Sequence, residues 1–167
     1  MSDIRVRPAG EDDREGVARV LRASWGGTVV VAHGTAYDAA LLPALITGTA
    51  EAITGVLTYH VGGDAMEIVS IDAVTRRSGV GTALLGAAVG LARRRGLRRV
   101  WLITTNDNLD ALRFYQRRGL RIVGVSPGAV DEARRIKPGI PETGDYGIPL
   151  HDELVLEVQL DDDRVVV

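Results

Sequence analysis

The alternation of apolar and polar positions divides the chain into strands and helices. Ile4 to Arg7 alternates apolar and basic residues before Pro8, the pattern of a short half-buried strand. Val17, Val20 and Leu21 then recur at helical spacing behind an acidic first turn of Glu11, Asp12 and Asp13, and Trp25-Gly26-Gly27 ends that helix. Thr28 to Ala32 is a β-branched run. Gly34 to Ala44 has no clear period and reads as irregular chain with one helical turn at most. Leu45 to Thr49 and Ala52 to Val61 predict two strands, with Ile53, Gly55, Leu57 and Tyr59 on one face of the second. Gly62-Gly63-Asp64 predicts a hairpin turn into a third.

The stretch from Met66 to Arg95 organises the rest. It opens with MEIVSIDAV, an Ile- and Val-rich run without helical period that reads as a mostly buried strand. It closes with a helix whose Ala83, Leu84, Ala87, Ala88, Leu91 and Ala92 form one apolar stripe, ending at Arg93, Arg94 and Arg95 with Gly96 as the C-terminal stop. Between them lies Arg76-Arg77-Ser78-Gly79-Val80-Gly81. Glycines there let the backbone turn tightly and approach a ligand, and the free N–H groups of the helix point into the turn. With two arginines added, the natural occupant is a phosphate or pyrophosphate.

Arg98 to Thr105 is the next strand. Strand, helix and strand make a right-handed crossover, so the two strands are expected to run parallel, with the loop at the carboxyl end of the first. Asn106-Asp107-Asn108 predicts a polar loop and helix cap, followed by a short helix to Gly119. Leu120 to Val125 reads as a strand, Gly128 to Lys137 as a short helix, Pro138 to Pro149 as a proline- and glycine-rich excursion, and Glu153 to Leu160 as a final strand. The tail from Asp161 to Val167 is expected to be frayed.

Composition narrows the chemistry. With 167 residues the chain is expected to form one domain, residues 1–167, able to bury a core without staples. A net charge of -2 offers no general attraction for nucleic acid. The absence of cysteine excludes disulfides, thiolate metal sites and cysteine nucleophiles, and His33, His60 and His151 lack metal-ligand spacing, so no metal is expected. The N-terminus lacks the apolar core of a signal peptide and no run is long enough to span a bilayer; a cytoplasmic protein is the expectation. A dinucleotide fingerprint would need a small residue where Leu84 stands, and a Walker loop would need Gly-Lys-Ser/Thr; the sequence has neither.

Two motifs resemble the GNAT superfamily of acyl-CoA-dependent N-acetyltransferases. Arg76 to Gly81 matches the family pattern of Gln or Arg, two residues, Gly, one residue, and Gly or Ala, after a strand and opening a helix. Asn108-Leu109-Asp110-Ala111-Leu112-Arg113-Phe114-Tyr115, continued to Gly119-Leu120, is similar to the family's Asn, two residues, Ala, two residues, Phe-Tyr, three residues, Gly-Phe. Leu120 replaces the usual Phe, and the loop after Val74 is short and lacks a common proline. The resemblance covers Glu67 to Val125. It implies an α/β (α+β) fold: a mixed, mostly antiparallel twisted sheet flanked by helices, with a central parallel strand pair splayed at the cofactor site.

It also implies an N-acetyltransferase that passes the acetyl group of acetyl-CoA to a primary amine by direct attack in a ternary complex. Carried onto this chain, the backbone of Arg77, Ser78, Gly79, Val80, Gly81 and Thr82 would cradle the pyrophosphate with Arg76 and Arg77 pairing its oxygens. The backbone of Asp72, Ala73 and Val74 would bind the pantetheine arm, and Asn108 and Asn106 would contact it from the other side. Tyr115 corresponds to the family tyrosine that sits near the sulfur and can protonate the leaving thiolate, the reading preferred over that of a helix aromatic packed beside Phe114 with its hydroxyl on solvent. Glu67 is the preferred general base, with an ordered water or His151 as alternatives; strand alternation places Glu67 and Asp72 on opposite faces.

Trp25, His33, Tyr37, Tyr146 and His151 could line an acceptor pocket or could equally be packing. The partners expected are acetyl-CoA and an amine acceptor, with no nucleic acid or membrane and a homodimer left open. A non-catalytic acyl-CoA-binding sensor or interaction module is the alternative function.

Overall fold

The computed structural model describes residues 3–160; the expectation of a frayed tail falls outside them. Nine strands and four α-helices follow one another as β1 (Val6–Pro8), α1 (Arg14–Trp25), β2 (Val29–Ala32), β3 (Thr35–Asp38), β4 (Ala44–Gly48), β5 (Ile53–Gly62), β6 (Ala65–Ala73), α2 (Val80–Arg94), β7 (Arg99–Thr105), α3 (Leu109–Arg117), β8 (Arg121–Ser126), α4 (Ala129–Ile136) and β9 (Glu153–Gln159). Seven strands form one sheet in the order β1-β4-β5-β6-β7-β9-β8, and β2 and β3 form a separate two-stranded ribbon. Every pairing in the large sheet is antiparallel except β6 with β7. This is the mixed, mostly antiparallel α/β architecture expected from the motifs, and no described helix is long and apolar enough to cross a membrane.

The sheet separates two apolar layers. On one face Leu84, Leu85, Ala88 and Ala92 of α2 pack with Leu57, Met66, Ile68, Val100, Leu102 and Leu156, and Tyr115 and Leu120 join the same cluster from the α3 region. Leu120, which stands in for a phenylalanine, is thus a buried core residue. On the other face Val17 and Leu21 of α1 pack with Val30, Ala39, Ile46, Val56 and Val69. Helix α2 lies close because β5 carries no side chain at Gly55: a Cβ there would stand 2.3 Å from Val80 Cγ1.

Two bulges change which residues share a face. β4 and β5 pair Thr47 with Gly55 but Gly48 with Ile53, so Thr54 is extra and Ile53 turns to the α1 side, away from Leu57 and Tyr59. β5 and β6 pair Thr58 with Ser70 but Tyr59 with Ile68, leaving Val69 extra. Met66 and Ile68 before this bulge, and Ile71 and Ala73 after it, all join the α2-side cluster. Glu67, Val69 and Asp72 therefore share the opposite face. The expectation that Glu67 and Asp72 point to opposite faces is corrected by that one inserted residue.

The same bulge splays the parallel pair. β6 pairs with β7 only from Ala65 to Ile68, against Arg99 to Leu102. Beyond it β6 stays with β5, while Ile103 to Thr105 stay with Val155 to Glu153 of β9. A wedge opens between Val69–Ala73 and Ile103–Thr105. The segment read as irregular from Gly34 contains β3, which pairs with β2 through a two-residue turn at His33-Gly34. Both turn residues have positive φ, 43° and 74°, the geometry whose twist matches a hairpin.

Candidate active site

Each side of the wedge leads to a cavity. The larger, about 710 Å³, lies against the start of α2 and is lined by Thr75 to Gly79, Gly81 and Thr82, by Ile71 and Ala73 of β6, and by α3. Its mouth is cationic: Arg76, Arg77, Arg113, Arg117 and Arg118 line it, with Asp110 as the acidic exception. The first intrahelical bond of α2 runs from the Ala83 N–H to the Gly79 carbonyl at 3.0 Å, so the N–H groups from Gly79 to Thr82 precede the ladder and are free for an anion. The loop is held in this shape. Ser78 Oγ donates to the Thr75 carbonyl at 2.7 Å, and Arg77 and Gly79 adopt positive φ of 56° and 84°. Gly81 lets α3 approach, since a Cβ would stand 3.2 Å from Phe114 Cζ. Arg118 lies with its guanidinium carbon 3.8 Å from the Phe114 ring centroid and donates to Thr82 Oγ1 at 2.9 and 2.7 Å.

The smaller cavity, about 210 Å³, lies on the other side of the wedge, under the β2–β3 ribbon. Trp25, Ser70, Thr104, Thr105 and Asn108 line it with Glu67 and Glu153. Ile71, Ala111 and Tyr115 line both cavities, so the two meet there. Tyr115 is 7% exposed. Burial, and secondarily the Asp72 charge, raises its phenol far above the usual tyrosine range, so it stays protonated. No described group pairs with its hydroxyl, yet no described side-chain oxygen is both sealed and unpaired; the hydroxyl therefore opens into the cavity. Phe114 meets it edge-on at 5.4 Å between centroids.

Glu67 is 3% exposed and hydrogen-bonded at both oxygens: His33 Nε2 lies 2.9 Å from Oε1, and the Tyr37 hydroxyl donates to Oε2 at 2.9 Å. Asp72 accepts from Trp25 Nε1 at 2.9 Å, and burial raises its carboxyl despite bonds from Trp25 and Ser24. The Val74 N–H donates to the Thr54 carbonyl at 2.9 Å. Alternation along an antiparallel edge gives Asp72 the same direction, which corrects the reading of those two backbones as pantetheine partners and turns Ile71 and Ala73 into the wedge. Asn106 also faces elsewhere. It accepts from the His151 and Asp152 N–H groups and donates to the Pro149 carbonyl, tying down the C-terminal excursion. Asn108 caps α3 at the Ala111 N–H and lines the smaller cavity, and Val80 keeps its side chain in the core.

His151 pairs with Asp131 and Tyr146 with Asp110, and neither lines the smaller cavity. The sequence reading missed Glu153, although its place at the first position of β9, opposite Thr105, puts it beside the wedge. It also missed Arg113 and Arg117, whose spacing of four on α3 places them on one face.

The model of the Acetyltransferase (GNAT) family matches residues 11–120. The chain belongs to this family. The uncharacterized protein YxbD of Bacillus subtilis is 37% identical over 158 residues, 94% of this chain and 99% of that protein. Among solved structures, an IAA acetyltransferase from Bacillus cereus superposes with a TM-score of 0.73 at 18% identity, covering 95% of this chain and 100% of its own. A Bacillus subtilis acetyltransferase in complex with CoA gives 0.67 at 16% identity, covering 95% and 99%. At such identities these structures speak for the fold; the wedge, the α2 N-terminus and the tyrosine on α3 belong to this chain itself.

Proposed function

We propose that the protein transfers the acetyl group of acetyl-CoA to a primary amine. The observation that carries this is the meeting of an arginine-lined cavity and an acidic cavity at Tyr115. The residues present suit the cofactor. Free N–H groups of α2 and the arginines would take the pyrophosphate, and the Ile71 and Ala73 backbones would meet the pantetheine amides at the unpaired edge of β6. The thioester then lies where the cavities join, and the amine enters from the smaller one. Nitrogen attacks the thioester carbonyl carbon, the C–S bond breaks, and Tyr115, protonated and facing the cavity, supplies a proton to the leaving sulfur. Calorimetry with acetyl-CoA, followed by thiol release with a panel of small primary amines, tests the reading. Stoichiometric binding with amine-dependent thiol release is expected; tight binding without turnover across the panel would make the protein an acyl-CoA sensor instead.

A further inference from the structure

Two carboxylates line the smaller cavity, and no lysine, arginine or histidine does. They are not equivalent. Glu67 already accepts a bond at each oxygen, from His33 and from Tyr37, both on the hairpin that roofs the cavity. Glu153, 4% exposed, accepts only the His33 backbone N–H, at 3.2 Å to Oε2. Among the described residues nothing pairs with Oε1, and since no described side-chain oxygen is both sealed and unpaired, Oε1 opens into the cavity. The basic side chain beside it, the His33 ring, is bonded to Glu67 and leaves Oε1 of Glu153 open. A nearly buried carboxylate with one oxygen free is a site that a cation would complete.

Resting on the acetyl-transfer reading, we propose that Glu153 holds the acceptor as its ammonium ion and takes its proton, so that the natural acceptor is an alkylamine charged at neutral pH. Glu67 is then a positioning residue that fastens the roof. The balance is simple. The ammonium N–H bond breaks toward Glu153 Oε1, which becomes the carboxylic acid and later releases the proton to solvent. The freed lone pair forms the C–N bond, and the second nitrogen proton replaces the one that Tyr115 gives the thiolate.

Glu153 is suited to this exchange. Burial raises its carboxyl above the ordinary range, and Glu67 adds to that while the His33 N–H and ring oppose it. Its strand neighbours Thr105 and Ser126 carry no titratable group.

Glu153→Gln tests the proposal, because the amide can still accept from His33. Ethylamine and 2,2,2-trifluoroethylamine, nearly equal in shape, enter as cation and as free base respectively near neutral pH. For ethylamine the variant should lose about a hundredfold or more in kcat/KM, together with the acidic limb of its pH profile. For the fluorinated amine the loss should be less than about fivefold. Calorimetry should show acetyl-CoA affinity unchanged and ethylammonium binding to the CoA complex lost. Equal losses for both amines, or none for ethylamine, would overturn the role of Glu153 while leaving acetyl transfer standing. A wild-type protein that binds acetyl-CoA but acetylates neither these nor any other amine would overturn both.

Discussion

His33 Nε2 stands 2.9 Å from Oε1 of Glu67, and this contact fastens the turn of the β2–β3 ribbon to the central strand. The ribbon otherwise pairs with no strand of the large sheet. Its position over the smaller cavity rests on Val30 in the α1-side core and on side-chain bonds, with Tyr37 on the other oxygen of Glu67, the His33 N–H on Glu153 and Lys137 on the Val29 carbonyl.

Replacing Glu67 by Gln keeps the shape but removes the charge. Burial first, then the hydrogen bond and charge of Glu67, hold the Tyr37 phenol at about 12. The variant should bring that phenol down toward the ordinary tyrosine range, although burial remains. Ultraviolet titration against Tyr37→Phe as a blank reads the shift, and an unmoved phenol would mean that Tyr37 does not bond Glu67.

The glycine loop opening α2, the buried central strand and the parallel crossover were legible because each is local: a fixed residue spacing or a hydrophobic run. The faces of Glu67 and Asp72 were not, because a single extra residue, Val69, inverts the alternation and leaves no mark in composition. The hairpin at His33-Gly34 was missed because histidine is an uncommon first residue for such a turn, so the turn signal was half absent. Glu153 was missed for another reason. Its closeness to Glu67 comes from β9 inserting between β7 and β8, a pairing that no local pattern announces.

Charge reversal tests the cationic mouth. Arg77 and Arg117 are both exposed, so Arg77→Glu and Arg117→Glu should fold normally. Each should weaken acetyl-CoA binding about tenfold or more, and flatten the fall of affinity with salt that five arginines confer on the wild type. Calorimetry at two ionic strengths checks this; unchanged affinity in both variants would move the phosphates elsewhere.

Acid should destabilise the fold through Asp13. Arg7 clamps it with both terminal nitrogens, at 2.7 and 2.8 Å, and the Gly10 N–H adds a third bond at 2.7 Å. Chiefly through the Arg7 hydrogen bonds, then through Gly10, its carboxyl is held down to about 2. The unfolded chain binds that proton at a higher pH, so the group stabilises the fold above its unfolded value, and the contribution fades as pH falls toward about 2. Asp13→Asn should be less stable than the wild type near pH 7 by urea melting, and the gap should narrow by about pH 3. A gap that does not change with pH would place the effect in packing.

Tyr115→Phe decides whether the phenol is chemistry or packing. The ring sits in the α2-side core beside Phe114, and the variant keeps that ring. Only the hydroxyl is lost, and no described residue pairs with it, so the melting temperature should hold and acetyl-CoA affinity should stay near the wild-type value. A leaving thiolate is a much weaker base than the attacking amine. Its protonation therefore helps collapse of the tetrahedral species without being indispensable, and kcat should fall by about tenfold to a thousandfold rather than vanish. The raised phenol also predicts that wild-type kcat shows no alkaline limb from Tyr115 below the ordinary tyrosine range, because the acid form persists there. A stably folded variant with unchanged kcat would remove Tyr115 from the reaction and leave it as the aromatic wall between the two cavities.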